Sequence, residues 1–242
     1  MRQRKNRLVR NIFLYNLYRT IIFVIQRIPK GLSLSLGETT MILYSDKDDH
    51  YSHRVRIVLA EKDIACEIRE TNNDDAPEEV LSINPYHELP ILVDRDLGLY
   101  NTTVMMEYLD ERFPHPPLLP VYPVTRANSR TLMLRIDKEI CPLVDKLTAK
   151  DGTDKELLVA KEELLHEISA IAPTFKEFPF FMSEEFSLAD CYLAPILWRL
   201  PSLGINLPLN RHLKPLLDYQ AKIFERPGFQ DSLSLIEKDL RD

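Results

Sequence analysis

The stretch DDHYSHR, residues 48–54, groups side-chain types that enzymes use in catalysis. A carboxylate, Asp49, comes before two histidines. His50 and His53 flank Ser52, and residues three apart in a helix can face the same side. Such a set could form a serine–histidine dyad or part of a metal site. Outside this stretch the neighbouring sequence shows no further metal ligand and no acid paired with a histidine, so we interpret these residues as a solvent-exposed first helical turn.

Three cysteines are the other reactive side chains: Cys66, Cys141 and Cys191. They are widely spaced, and the sequence contains neither a CxxC motif nor a Cys/His cluster of the kind that binds zinc. We therefore expect no metal and no other cofactor. Free buried thiols are typical of proteins in a reducing cytoplasm, which is the location that we predict.

The motif FSLAD places Ser187 three residues before Asp190 at the start of an apolar helical pattern. A buried aspartate can be catalytic. Here the spacing is that of a capping box with an acid in the third position, in which the side chains satisfy free backbone N–H groups. We interpret both residues as a structural cap, whose loss costs about 1 kcal/mol when exposed and more when buried.

The segment FPHPPLLPVYP, residues 113–123, contains five prolines. Neither a helix nor a central strand can continue through it, and a polyproline conformation would leave its carbonyls unpaired. A rigid linker would explain the prolines but not the histidine and tyrosine, which are residue types that anchor interfaces. We predict a stiff, preformed protein-binding patch, called the proline surface below: Pro114, His115, Pro116, Pro117 and Tyr122.

The elements around these residues follow from hydrophobic periodicity. Up to residue 113 the order is β-α-β-α-β-β-α, which predicts an open mixed sheet with helices packed on it. The predicted segments are strands 42–45, 66–70, 89–94 and 97–100, and helices 52–62 (with Ser52 as N-cap), 77–83 and 102–113. After residue 123 the pattern is helical only, with segments at 127–147, 154–172, 187–200, 210–226 and 229–240. We therefore predict an α/β domain at 41–118, a proline-rich junction at 119–123 and an all-α domain at 124–235.

Charge is distributed unevenly along the chain. The chain has 242 residues and a net charge of −6, but the first forty residues hold eight Lys/Arg and one acid. Residues 41–242 therefore carry −13, which disfavours direct contact with nucleic acid and favours a protein partner with basic patches. The six glycines also argue against glycine-rich nucleotide loops.

Residues 1–40 share no pattern with the rest of the chain. Arg19 interrupts their apolar run and leaves IIFVI as the longest clean stretch, too short to span a membrane. An amphipathic surface helix is one interpretation. We favour the other, an extension outside the fold that is dispensable for folding.

Three motifs resemble the glutathione transferase superfamily. YSHRVRIVLAEK (51–62) resembles the first helix of its thioredoxin-like domain, LPILVD (89–94) its strand that opens with a cis-proline, and FSLADCYLAP (186–195) the N-cap motif of its helical domain. More narrowly, residues 106–130 and 191–205 resemble the stringent starvation protein A family, which keeps the transferase fold. The likeness runs from residue 41 to about residue 226. It implies an N-terminal thioredoxin-like domain and a C-terminal helical bundle.

The resemblance also implies a glutathione site with altered residues. Asp49 occupies the place of the thiol or hydroxyl that activates glutathione, and a carboxylate there would raise the pKa of a bound thiol. The acid–serine pair that usually binds the γ-glutamyl group reads Asn101–Thr102, in which Thr102 could cap the next helix. We expect a vestigial site and no enzyme activity; its positions are Asp49, Ser52, Leu89, Pro90, Asn101 and Thr102. The alternative is a glutathione-dependent transferase or reductase.

The same resemblance supplies a partner for the proline surface. In the stringent starvation protein A family this surface engages RNA polymerase holoenzyme near the sigma factor. It implies a non-enzymatic regulator of transcription in the starvation or stress response, acting as a homodimer through the helices near 102–113 and 127–147. We expect neither direct nucleic-acid binding nor a membrane partner.

Overall fold

The computed structural model describes residues 41–241. The predicted extension, residues 1–40, lies outside the described residues. Within residues 41–241, none of the helices combines the length and the apolar character needed to cross a bilayer.

The N-terminal part is built on a four-stranded sheet. Its strands are β1 (Met41–Asp46), β2 (Cys66–Thr71), β3 (Ile91–Asp94) and β4 (Leu97–Leu99). The spatial order is β2-β1-β3-β4, with β1 parallel to β2 and the other two pairs antiparallel. The central strands β1 and β3 are covered on both faces, which explains their continuous apolar sequences. The predicted mixed sheet of a thioredoxin-like domain is confirmed.

Three helices pack with this sheet: α1 (His50–Glu61), α2 (Glu78–Leu81) and α3 (Thr102–Arg112). The predicted N-cap Ser52 is wrong, because α1 begins two residues earlier. Asp49 is the N-cap, and its carboxylate accepts hydrogen bonds from the backbone N–H groups of Tyr51 and Ser52. Likewise Thr102 does not cap α3; the side chain of Asn101 does, accepting from the N–H of Val104 at 3.2 Å.

The C-terminal part is helical. Its helices are α4 (Pro123–Arg135), α5 (Cys141–Ala149), α6 (Asp154–Ala170), α7 (Leu188–Arg199), α8 (Lys214–Phe224), α9 (Pro227–Ser232) and α10 (Leu235–Asp239). A π-helical turn, Ile136–Ile140, joins α4 to α5, and a 3₁₀ turn, Ala172–Lys176, follows α6. The single helix predicted at 229–240 is wrong: extended backbone at Leu233 separates α9 from α10. Ser234 then caps α10 together with Glu237.

A hydrophobic core joins the two parts. Every residue of α7 is buried, so this helix forms the centre of the helical part. One cluster of buried side chains extends from Val55 and Val58 of α1, through Met105 of α3, to Leu193 and Ile196 of α7. A mixed sheet with helices, followed by a helical bundle, is the architecture that the resemblance implied.

Candidate functional site

The proline surface is exposed on both sides of a buried pair of leucines. All five of its side chains face solvent, and Tyr122 keeps 76% of its surface accessible. Between them, Leu118 and Leu119 insert into the core. The peptide bond between His115 and Pro116 is cis, which the sequence analysis did not predict. The segment is therefore anchored at its middle and presents the predicted binding side chains on either flank.

A buried ion pair holds the backbone of this segment. The ammonium of Lys62 donates to a carboxylate oxygen of Asp110 at 2.7 Å and to the carbonyl of Pro116 at 2.5 Å. The Asp110 carboxylate also accepts from the N–H groups of Leu118 at 2.8 Å and Leu119 at 3.1 Å. Lys62 and Asp110 are both buried. Their charges satisfy backbone groups that the prolines leave without helix or sheet partners.

Several backbone carbonyls of this segment accept hydrogen bonds, whereas those of a polyproline strand would remain unpaired. Besides Pro116, the carbonyl of Leu118 accepts from the N–H of Leu188, at the start of α7, at 2.9 Å. The carbonyl of Pro120 accepts from the guanidinium of Arg126 in α4 at 2.9 Å. The expectation of unpaired carbonyls is therefore wrong at these positions, because neighbouring helices supply the donors.

An apolar groove of about 690 Å³ runs beside the proline surface. One wall is formed by residues 117–122, and the opposite wall by the loop 178–187. Val121 and Met182 leave 75% and 57% of their surfaces exposed along it. Glu184 and Glu185 also line the groove. The groove therefore suits an apolar side chain of a partner protein with a basic residue next to it, which would face the two glutamates.

Sheet topology brings the positions predicted to form a vestigial glutathione site to one end of the sheet. Tyr44, near the end of β1, pairs with Ile91 at the start of β3, and Leu92 pairs with Leu99 at the end of β4. The loop after β1, the loop before β3 and the loop after β4 therefore meet at this end. Four of the predicted positions, Asp49, Leu89, Pro90 and Asn101, lie in these loops, and the other two, Ser52 and Thr102, lie in the first turns of α1 and α3. The peptide bond between Leu89 and Pro90 is cis, as the resemblance implies.

The hydroxyl of Ser52, three residues after Asp49, is already engaged. Ser52 is buried; its Oγ donates to a carboxylate oxygen of Asp49 at 2.5 Å and accepts from the N–H of Asp46 at 2.9 Å. Burial raises the pKa of the Asp49 carboxyl, although the hydrogen bonds from Ser52 oppose this effect. Asp49 thus caps α1, and the hydroxyl proton of Ser52 is donated to the Asp49 carboxylate and not available to activate a thiol.

The expected exposure of His50 and His53 is wrong, since both imidazoles are buried. His50 Nε2 lies 2.9 Å from a carboxylate oxygen of Asp145 in α5, and burial lowers its pKa to about 4. His53 Nδ1 faces the guanidinium of Arg199 at 3.1 Å, so Nε2 carries the proton and donates to Ser232 Oγ at 3.0 Å. Burial lowers the pKa of His53 as well. Both are neutral connectors between α1 and the helical part.

A buried carboxylate near the C-terminus fixes the loop after β1. Glu237 in α10 accepts from the guanidinium of Arg56 at 2.6 Å and also from that of Arg199. Arg56 donates in addition to the carbonyl of Asp46 at 2.8 Å, and Arg199 to that of Asp48 at 3.0 Å. This loop leads into Asp49, to which the resemblance assigns the position of the transferase nucleophile. Sequence reasoning missed the cluster; its available signal was the Ser234–Glu237 capping box.

The carboxylate of Asp190 accepts hydrogen bonds from three separate segments of the chain. One carboxylate oxygen accepts from the N–H of Ser187 at 2.8 Å and from its hydroxyl at 3.1 Å. The other accepts from the N–H of Phe181 at 2.9 Å and from the hydroxyl of Tyr219 at 2.8 Å. Burial raises the pKa of this carboxyl. With four donors filling its acceptor sites, Asp190 has the contacts of a structural residue.

Metal binding finds no support in the described part of the chain. Across residues 41–241, no three His, Cys, Asp or Glu side chains come together as a possible metal site. The three cysteines form no disulfide with one another. Burial raises the pKa of Cys141 to about 11, so this thiol is protonated at neutral pH despite its contact with the Arg54 guanidinium at 2.8 Å.

Comparison with known families and relatives gives consistent matches. The model of the glutathione S-transferase N-terminal domain matches residues 43–117, and that of the C-terminal domain matches residues 131–227. A stringent starvation protein A homolog from Pasteurella multocida is 52% identical over 84% of this chain and 94% of its own length. Homologs from Haemophilus influenzae and Coxiella burnetii are 47% and 46% identical, over 83% and 86% of this chain and 93% and 98% of theirs.

Solved structures confirm the fold at lower identity. The tau class glutathione S-transferase from mango superposes with a TM-score of 0.72 at 20% identity, covering 85% of this chain and 97% of that chain. BphK, a bacterial glutathione S-transferase, also gives 0.72 at 20% identity, covering 81% and 99%. These structural similarities establish the fold of the chain. The chemistry of the site has to be argued from the residues present in it.

Proposed function

The chain belongs to the stringent starvation protein A family, a branch of the glutathione S-transferase fold, and we propose that it is a non-enzymatic transcription regulator. It docks on RNA polymerase holoenzyme near the sigma factor through the proline surface. It acts in the cytoplasm, in the starvation or stress response, as a homodimer.

The observation that carries this proposal is the exposure of the proline surface on a fixed backbone. The buried Lys62–Asp110 pair holds the segment in place before any partner arrives. A partner that binds a preformed surface loses less conformational entropy than one that must order a loop. His115 and Tyr122 add an imidazole and a phenol to an exposed, proline-rich patch, and such amphipathic side chains are frequent anchors of interfaces.

The site at this end of the sheet favours regulation over transferase or reductase activity. Glutathione activation needs a hydroxyl or thiol that donates to the sulfur. Here the Ser52 hydroxyl donates to Asp49, and the Asn101 side chain caps α3 in place of an acid that would bind the ligand's ammonium. Retention on a glutathione column together with conjugation of a chloronitrobenzene above background would favour the alternative enzyme.

Binding to purified RNA polymerase holoenzyme tests the proposal. We expect His115→Ala, Pro116→Ala, Pro117→Ala to weaken binding about tenfold or more, since truncations at interface anchors cost roughly 1–3 kcal/mol each. A matched control is His212→Ala, Pro201→Ala, Pro208→Ala, which likewise removes one histidine and two prolines, here from exposed positions of the helical part. The control should bind as the wild type does.

Thermal unfolding of the same two variants separates docking from folding. If the prolines serve only as a junction between domains, the first variant should lose stability yet still bind polymerase. A folded variant with wild-type affinity for polymerase would contradict the proposal.

A further inference from the structure

A second cavity, on the helical part, is lined by basic and aromatic side chains, and we propose that it is a docking site for an acidic segment of a protein partner. The cavity has a volume of about 530 Å³ and lies between the 3₁₀ turn after α6 and helix α8. Four cationic side chains line it: Lys176, Arg211, Lys214 and Lys222. This proposal does not depend on the function proposed above.

The charge of this cavity is opposite to that of its surroundings. Residues 41–242 carry −13, whereas the cavity is lined by four cations and one acid. That acid, Asp218, already pairs with Lys214 at 2.9 Å in the same helix. An anionic ligand would find a cluster of cations on a body whose net charge is negative, so the charge pattern favours both the sign and the place of binding.

Several of these cations are available to a ligand. Lys176 and Arg211 are exposed, and neither forms an ion pair within residues 41–241. Lys222 lies 3.8 Å from the centre of the Phe180 ring and donates to the carbonyl of Pro179 at 3.3 Å, which leaves donors free on its ammonium. Helix α8 begins at Lys214, so its N-terminal partial positive charge adds to the cluster.

The floor of the cavity is aromatic and rigid. Phe175 stacks on Tyr219 with ring centres 4.0 Å apart, and the Tyr219 hydroxyl is bound to the buried Asp190. Phe178 and Pro179 extend this apolar lining. A cationic rim around an apolar floor suits a carboxylate that neighbours an apolar or aromatic side chain, the combination found in acidic peptide segments.

The extent of the cluster favours a protein segment over nucleic acid. Nucleic-acid binding relies on cations that follow successive phosphates, and here the cations surround one cavity. A phosphate backbone leaving the cavity would run across the acidic body. Phe178 also lines the apolar groove beside the proline surface, but Glu184 and Glu185 on that groove would repel an acidic segment, so we place the segment in this cavity alone.

The test uses the full chain and a fluorescein-labelled peptide of alternating glutamate and leucine with one central phenylalanine. Fluorescence anisotropy at low salt should show saturable binding that weakens as salt increases. The charge reversals Lys176→Glu and Arg211→Glu, made together, should weaken binding about tenfold or more. Both positions are exposed, so thermal unfolding should be little changed.

The matched control is Lys138→Glu with Lys155→Glu, which changes the net charge equally at exposed positions away from the cavity lining. It should keep wild-type affinity for the peptide. Equal loss in both double variants would show a general charge effect and overturn the proposal. Absence of peptide binding by the wild type would also overturn it, as would tighter binding of a labelled single-stranded RNA of the same charge.

Discussion

Lys62 directly follows α1, and its buried ammonium reaches the carboxylate of Asp110 and the carbonyl of Pro116. In the sequence, Lys62 continues the helical spacing of Val55, Val58 and Leu59, which is unusual for a lysine unless it has a buried partner. That pattern was the available signal for the ion pair. Its partner could not be identified from sequence, because Asp110 lies 48 residues away. Helices α1 and α3 also carry several other charged side chains, so no single pair stands out.

Replacing Lys62 should show how much its ion pair with Asp110 contributes to the stability of the fold. We expect Lys62→Met to lower the free energy of unfolding by roughly 3–5 kcal/mol, because it leaves a buried carboxylate without its cation. Urea unfolding measures this loss. Lys138→Met, at an exposed position, should change stability by less than about 0.5 kcal/mol. Equal stability of the two variants would contradict the anchoring role of Lys62.

His50 predicts a pH dependence of stability. Its pKa is about 4 in the folded protein, below the ordinary value of 6.5, because burial disfavours the imidazolium. Between these values the unfolded chain binds a proton that the folded chain does not, so this contribution to stability is complete above pH 6.5 and falls as the pH falls towards 4.

A variant isolates this contribution from those of the other titrating groups. Urea unfolding of the wild type and His50→Gln at pH 7, 6 and 5 should show the stability advantage of the wild type shrinking as the pH falls. A difference that stays constant or grows at low pH would contradict a neutral buried imidazole at His50.

At the scale of elements, short-range sequence patterns predicted most strands and helices. The features that they did not predict depend on contacts between residues far apart in the sequence. Hydrophobic periodicity located the strands of the sheet and the helix α7 within a few residues. The burial of His53 could not be predicted from its own helix, because Ser232, its partner, is 179 residues away. The same holds for Arg56 and Glu237, which are 181 residues apart.

Helix α10 is short, yet it should be important for stability because it carries Glu237. Glu237→Gln removes the charge that neutralises two buried guanidinium groups, Arg56 and Arg199. We expect a loss of several kcal/mol, of the order found when one partner of a buried pair is removed. Thermal unfolding should show a clearly lowered midpoint. Asp239→Asn, an exposed acid in the same helix, is the control and should unfold as the wild type does.

At the scale of the whole molecule, we propose a homodimer formed through α3 and α4. Val104 in α3 and Leu134 in α4 leave 51% and 56% of their surfaces exposed, which is consistent with an apolar contact between copies. Sedimentation velocity at micromolar concentration should show a dimer for the wild type and a monomer for Val104→Glu with Leu134→Glu. Leu158→Glu, at an equally exposed position in α6, should remain dimeric. A monomeric wild type would contradict the proposed assembly.

The central claim is that the proline surface contacts RNA polymerase, and site-specific photocrosslinking tests it most directly. A benzophenone amino acid at position 122 replaces an exposed tyrosine with a side chain of similar shape, and position 209, where Leu209 is 93% exposed, serves as control. After irradiation with RNA polymerase holoenzyme, we predict a crosslink from position 122 to the sigma factor or an adjacent polymerase subunit. Position 209 should give none. Crosslinks from position 209 but not from position 122, in proteins that both bind polymerase, would contradict the account.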